Sequence, residues 1–116
     1  HMAPAMELEV LEQALFTTKH GDLKTYILDR LVQLKGEAAM PILETFYKDE
    51  NMGLRVRAIQ HASKLVKPGS EHLDRLKDLL LETEDTVRVA AAAAIIEIHA
   101  ARAEPLKKKG KTSRSR

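Results

Sequence analysis

The feature that most constrains this chain is a segment that recurs along it. Residues 85–98 begin with an acid in a turn, continue with Val87 and Arg88, and then carry an alanine-rich apolar stripe. Residues 53–59 form a similar segment upstream, and residues 21–27 form a fainter one at a nearly equal distance further upstream. Recurrence with a period of roughly 20–50 residues is typical of repeat proteins, in which each unit buries its apolar stripe against the next. The sequence therefore predicts a stack of similar units.

The composition favours helices as the material of these units. The 116 residues suffice for one modest domain. Apolar residues make up 44% of the chain, but aromatic residues only 3%. The core must therefore consist of Leu, Ile, Val and Ala, which suits helix-on-helix packing better than a sandwich of aromatic and β-branched strands. We predict an all-α fold.

Apolar residues spaced three and four apart predict six helices in three antiparallel pairs. The pairs cover residues 6–34, 37–66 and 70–103, within one domain of residues 6–104. The third helix is predicted over residues 37–50, and the sixth from residue 86 to about residue 103. The predicted core residues are Leu8, Leu11, Leu15, Phe16, Leu23, Ile27, Leu28, Leu31, Leu34, Met40, Leu43, Phe46, Tyr47, Ala58, Ile59, Ala62, Leu65, Val66, Leu73, Leu76, Leu79 and Leu80.

The repeated segment resembles HEAT and HEAT-like repeats. The matching stretches are residues 85–88, 54–56 and 23–25, the last being the most degenerate. The short period is similar to that of bacterial repeats of the phycobilin-lyase type. The resemblance implies a right-handed α-solenoid whose second helices line a concave binding surface. It also implies that Arg55 and Arg88 are structural, pairing with turn acids and carbonyls of the neighbouring repeat.

Side chains on the second helices that point away from the core form the predicted binding row. They are Tyr26, Asp29, Arg30, Gln33, Arg57, Gln60, His61, Lys64, Ala90, Ala93, Ala94 and Glu97. We predict that Tyr26, Arg30, Arg57, His61 and Lys64 bind a segment of another protein, because Tyr and Arg are favoured anchors at interfaces. The alternative is a solvated helix face.

The alanine run of residues 90–94 has two interpretations. Alanine is the best helix former and lets helices approach closely. Alternatively, the last helix is apolar on more than one face because a partner or a second copy packs there. The second interpretation predicts a homodimer through this helix.

A basic tail, residues 105–116, is predicted to be disordered, since its composition cannot bury a core. Six bases and no acid occupy the last ten residues, whereas residues 1–106 hold 13 bases and 17 acids. The candidate contacts with phosphate or an acidic partner are Lys107, Lys108, Lys109, Lys111, Arg114 and Arg116. The alternatives for the tail are nonspecific nucleic-acid binding, contact with acidic lipid or an acidic protein, and a simple linker. No aromatic residue lies within it to stack on bases.

No motif for catalysis, cofactor binding or metal binding is present in the sequence. The chain has no cysteine, its glycines are scattered, and its histidines form no ligand motif. No apolar run is long enough for a membrane span, and no secretory signal is recognisable, so we predict a cytoplasmic protein without catalytic activity. The leading function is a protein–protein interaction adaptor. The alternative is a nucleic-acid-associated protein anchored by its tail, and the resemblance alone adds an accessory, lyase-like role on a cofactor-bearing protein.

Overall fold

The described part of the chain is mostly helical. A computed structural model describes the backbone of residues 4–114 and the side chains of residues 5–101. The α-helices are α1 (Pro4–Thr17), α2 (Gly21–Lys35), α3 (Met40–Thr45), α4 (Met52–Leu65), α5 (Glu71–Asp78) and α6 (Asp85–Arg114). Short 3₁₀ turns cover Gly36–Ala39, Phe46–Lys48 and Leu79–Leu81. The prediction of an all-α fold is confirmed for the described residues.

The predicted third helix, residues 37–50, is not one regular α-helix. Only Met40–Thr45 is α-helical, and 3₁₀ turns flank it on both sides. Pro41 explains the 3₁₀ turn Gly36–Ala39, because a continuous α-helix would need an N–H at position 41 to bond the Glu37 carbonyl. That carbonyl instead accepts from the Met40 N–H, one residue earlier. Six regular helices are therefore not confirmed.

The local structure repeats with the sequence. The 3₁₀ turn Phe46–Lys48 has a counterpart later in the chain at Leu79–Leu81. The starts of α4 at Met52 and of α6 at Asp85 are separated by the same number of residues as these two turns. The start of α2 at Gly21 precedes that of α4 by a slightly smaller offset. The spacing that was visible in the sequence therefore also separates equivalent turns and helix starts in the structure.

Three of the predicted core residues are exposed. Phe16 is 58% exposed, Leu23 43% and Leu80 40%. Phe16 stacks on the buried Phe46 ring at a centroid distance of 5.8 Å, so it covers the core edge without being enclosed. Leu80 lies in a 3₁₀ turn, whose tighter winding directs Leu79 inward and Leu80 outward. Leu23 lies in the first turn of α2, in the first pair of the chain.

The buried side chains form one continuous core. Its fully enclosed large residues are Leu15, Leu28, Leu31, Met40, Leu43, Leu54, Ile59, Leu76 and Val87. α4 packs against both α2 and α6, and α1 packs against α2. On the side of the first helices, Glu44 of α3 contacts His72 and Arg75 of α5. The second helices of the three pairs are thus neighbours in chain order.

The last helix is longer than predicted. α6 extends to Arg114, whereas the sequence predicted its end near residue 103. The side chains after Ala101 and the backbone of residues 115–116 lie outside the described residues. The predicted phosphate contacts of the basic tail fall there, and the tail's predicted role stays a prediction.

Candidate protein-binding face

A row of ion pairs runs across the predicted binding residues. We call the outer sides of α2, α4 and α6, together with the start of α1, the second-helix face. Because α4 lies between α2 and α6, side chains of consecutive repeats meet along this face. Four of the five predicted contact residues are engaged there with acidic partners, and Tyr26 is the fifth.

Asp29 on α2 is the centre of this row. Arg57 on α4 donates to it from Nε at 2.9 Å and from Nη2 at 2.5 Å, a two-bond arrangement that fixes both side chains. His61 Nε2 lies 2.6 Å from Asp29 Oδ1. Hydrogen bonding from Arg57, followed by that from His61, holds the pKa of Asp29 below its usual value, although partial burial opposes this. Asp29 thus binds two successive turns of α4 to α2.

The other predicted bases are paired as well. Arg30 donates from Nε and Nη2 to the Glu7 carboxylate at 2.8 and 3.2 Å, which ties α2 to α1. This bonding lowers the pKa of Glu7. Lys64 of α4 lies 3.3 Å from the carboxylate of Glu97 on α6, with both side chains well exposed. The row therefore links all of the second helices.

The pairing balances the charge of the face. The paired bases are Arg30, Arg57 and Lys64, and the paired acids are Glu7, Asp29 and Glu97. The sequence drew attention to these bases because they occupy outward positions on the predicted second helices. Asp29 was in the predicted row without a partner, and Glu7 was missed. The separations of 28 and 32 residues between Asp29 and its partners are close to the repeat period, and that was the available signal.

Tyr26 is the large apolar contact of the face. It is 65% exposed. Leu23, one helical turn earlier on α2, is also exposed and lies on the same side of the helix. An exposed aromatic ring beside fixed charges is the kind of group that anchors a partner.

The alanines of α6 only partly follow the predicted row. Ala93 is exposed as predicted, but Ala94 is 3% exposed and Ala90 is half-buried. The prediction that Ala94 points outward is wrong, because α6 turns Val87, Ala91, Ala94 and Ile98 toward the core at spacings of four, three and four.

Arg55 and Arg88 both make structural hydrogen bonds within their own helix pairs. Arg55 Nε donates to the Asp49 carbonyl at 2.5 Å, and Arg88 Nη1 donates to the Glu82 carbonyl at 2.8 Å. Arg88 also pairs with the Asp85 carboxylate. Each arginine thus closes the turn that precedes its own helix. The expectation that they reach the neighbouring repeat is wrong.

The histidines serve as partners of acids. His61 contacts Asp29, and His72 Nδ1 lies 2.7 Å from Glu44 Oε2. Within residues 5–101, no group of three or more histidine, aspartate or glutamate side chains is arranged to hold a metal ion. His20 and His99 are exposed.

Comparisons with protein-family models, with curated proteins and with solved structures each returned no match. Across the part of the chain that the structure describes, none of the helices combines the length and apolar character needed to cross a membrane. The resemblance to HEAT-like repeats therefore depends on the sequence motifs alone.

Replacing Asp29 with asparagine is expected to lower the free energy of unfolding at pH 7 by about 1–2 kcal/mol, because Arg57 and His61 lose a charged acceptor. Since the pKa of Asp29 is lowered in the folded protein, its contribution is complete above the unfolded-state pKa near 3.8. It is lost as the pH falls through the folded-state pKa. The difference between variant and parent should therefore shrink below pH 4.

Urea unfolding at pH 7 and at pH 3 measures this difference. Asp78→Asn is the control, because Asp78 is exposed and makes none of these ion pairs. Equal losses for the two variants at pH 7 would show that the Asp29 pairs contribute nothing specific.

Proposed function

We propose that this chain is a non-catalytic protein–protein interaction module, an α-solenoid of three HEAT-like hairpins that binds a partner polypeptide on its second-helix face. The observation that carries the proposal is the position of the five predicted contact residues. All five lie on the neighbouring helices α2 and α4. Tyr26 is exposed, and Arg30, Arg57, His61 and Lys64 keep part of their surface accessible while paired with acids. A chain laid across α2 and α4 would meet all of them.

The charge balance of the face favours a polypeptide over a polyphosphate. Each base is matched by an acid at 3.3 Å or less, so the face has little net positive charge to attract nucleic acid. A partner segment with polar groups of both kinds can instead exchange hydrogen bonds with the row. Tyr26 would supply the apolar contact.

The pairing also prepares the arginines for binding. Arg57 is held by two bonds to Asp29, and Arg30 by two bonds to Glu7. An arginine that is already fixed loses less side-chain freedom when a partner arrives. Arg57 uses Nε and Nη2 for Asp29, which leaves Nη1 outside that pair of bonds and able to donate to a partner segment.

Peptides selected from a phage-displayed random library against the full chain test this proposal. We expect Tyr26→Ala to weaken binding of the selected peptides by roughly 10- to 100-fold, as for other aromatic interface anchors. Because the ring is mostly exposed, the substitution should leave the unfolding transition unchanged.

Leu81→Ala provides the control for this experiment. Leu81 is an apolar residue that is 85% exposed and lies in the turn before α6. Peptides that bind the parent and Tyr26→Ala equally well, or that depend on Leu81, would contradict the assignment of the second-helix face.

The second candidate function is association with nucleic acid through the basic tail. The sequence observation that favours it is the six bases and no acid in the last ten residues. Such contacts are blind to base sequence and weaken steeply with salt. Fluorescence anisotropy of the full chain with a DNA duplex over a salt series discriminates the two functions, with Lys107, Lys108 and Lys109 replaced by alanine as the comparison.

A further inference from the structure

The side of α6 opposite its buried residues carries an apolar stripe that no other part of residues 5–101 covers. Val89 is 67% exposed and Ile96 is 69% exposed. Ala93, which lies between them, and Ala100, one helical turn after Ile96, are exposed as well. Spacings of four, three and four residues place all four side chains on one side of the helix. We call this set the α6 stripe.

The α6 stripe occupies the positions through which the earlier second helices contact their successors. Ala93 is equivalent to Asp29, which binds Arg57 and His61 of the next second helix. Ile96 is equivalent to Ser63 of α4. Ser63 is buried, and its neighbour Lys64 lies 3.3 Å from the carboxylate of Glu97, which places this end of α4 at the contact with α6. The α6 stripe thus corresponds to the surface on which a following second helix would stack.

The order of large and small residues in the stripe is self-complementary. If two copies of α6 pack antiparallel about a two-fold axis midway between Ala93 and Ile96, then Val89 lies opposite Ala100. Ile96 likewise lies opposite Ala93. Every pair in this register sets a large side chain against a small one, which lets the helices approach closely. No charged residue lies between Val89 and Ile96, so the two copies do not repel each other there.

We propose that the α6 stripe binds a second copy of this chain, antiparallel, in a two-fold symmetric dimer. An isologous contact of this kind closes on itself and leaves no further stripe exposed. The contact spans about three helical turns, which predicts a reversible dimer whose population depends on protein concentration. The dimer leaves the Tyr26 side of α2 accessible, so it does not depend on the function proposed above.

Sedimentation equilibrium of the full chain over a range of concentrations tests the dimer. We expect the mass to approach twice the 13.0 kDa of one chain. Ile96→Glu should raise the dissociation constant by roughly 100-fold or more, because two like charges would face an apolar surface. The parent exposes Ile96 in the single chain, so the variant should keep its helical circular dichroism spectrum.

Leu81→Glu is the matched control, since it adds the same charge at another exposed apolar position and should leave the dimer intact. A parent that stays a single chain at every concentration would overturn the proposal. A dimer that survives Ile96→Glu, or a mass that keeps rising past two chains, would overturn it as well.

Cysteine cross-linking tests the register. The chain has no cysteine of its own, so single substitutions are unique. A mixture of Ala93→Cys and Ile96→Cys should oxidise to a mixed disulfide dimer more readily than either variant alone, because these positions face each other across the axis. A mixture that oxidises no more readily than the single variants would contradict the antiparallel register.

Discussion

Replacing Leu76 with alanine is expected to lower the free energy of unfolding by about 2–5 kcal/mol. Leu76 lies on α5 and has no exposed surface. The substitution removes buried methyl groups and leaves a cavity that the close-packed surroundings fill only in part. Domains of this size are stable by about 5–15 kcal/mol, so the loss is a large fraction of the total.

Leu81→Ala gives the matched control for Leu76→Ala. The two leucines are close in the sequence, but Leu81 is 85% exposed. We expect its replacement to change the free energy of unfolding by less than about 0.5 kcal/mol. Urea unfolding followed by circular dichroism measures both. Similar losses at the two positions would show that the side of α5 assigned to the core is wrong.

Replacing Gly36 with alanine is expected to destabilise the fold by about 1–3 kcal/mol. Gly36 ends α2 with φ 59° and ψ −132°, a backbone conformation that side-chain-bearing L-residues rarely adopt. Apart from its chain neighbours and the local helix backbone, a Cβ atom added there would meet nothing within 4 Å. The cost therefore comes from the backbone alone.

D-Alanine at position 36, introduced by semisynthesis, separates backbone strain from other effects. It adds the same methyl group, but its mirror-image preferences favour positive φ. We expect it to restore the stability of the parent or exceed it, since it also restricts the unfolded chain. A D-alanine protein as unstable as the L-alanine protein would contradict the strain explanation.

The sequence predicted much of the architecture because its signals are local or periodic. Spacings of three and four located the helices, and the offset between Leu54 and Val87 recurs between equivalent 3₁₀ turns. The irregular third segment was harder to predict. The predicted helix of residues 37–50 ran through Pro41 and through the rearranged hydrogen bond at the Glu37 carbonyl.

The candidate site was only partly predictable. The five predicted contact residues were selected from the outward positions of the second helices, and the structure places them on α2 and α4. Their acidic partners were not predicted, because pairing Asp29 with Arg57 requires knowing which faces of α2 and α4 meet. Glu7 lies near the start of the chain, with no repeated motif around it to show that it reaches Arg30. Packing between elements decides such contacts, and periodicity within each element does not report them.

The most direct test of the proposed function is the footprint of a bound peptide. Nuclear magnetic resonance spectra of the ¹⁵N-labelled full chain, titrated with a peptide selected from the phage library, locate the amides that respond. We predict the largest shifts on α2 and α4 around Tyr26, Arg30, Arg57 and His61, residues that the structure places on the second-helix face. Shifts confined to α3 and α5, or to residues after 104, would contradict binding on this face.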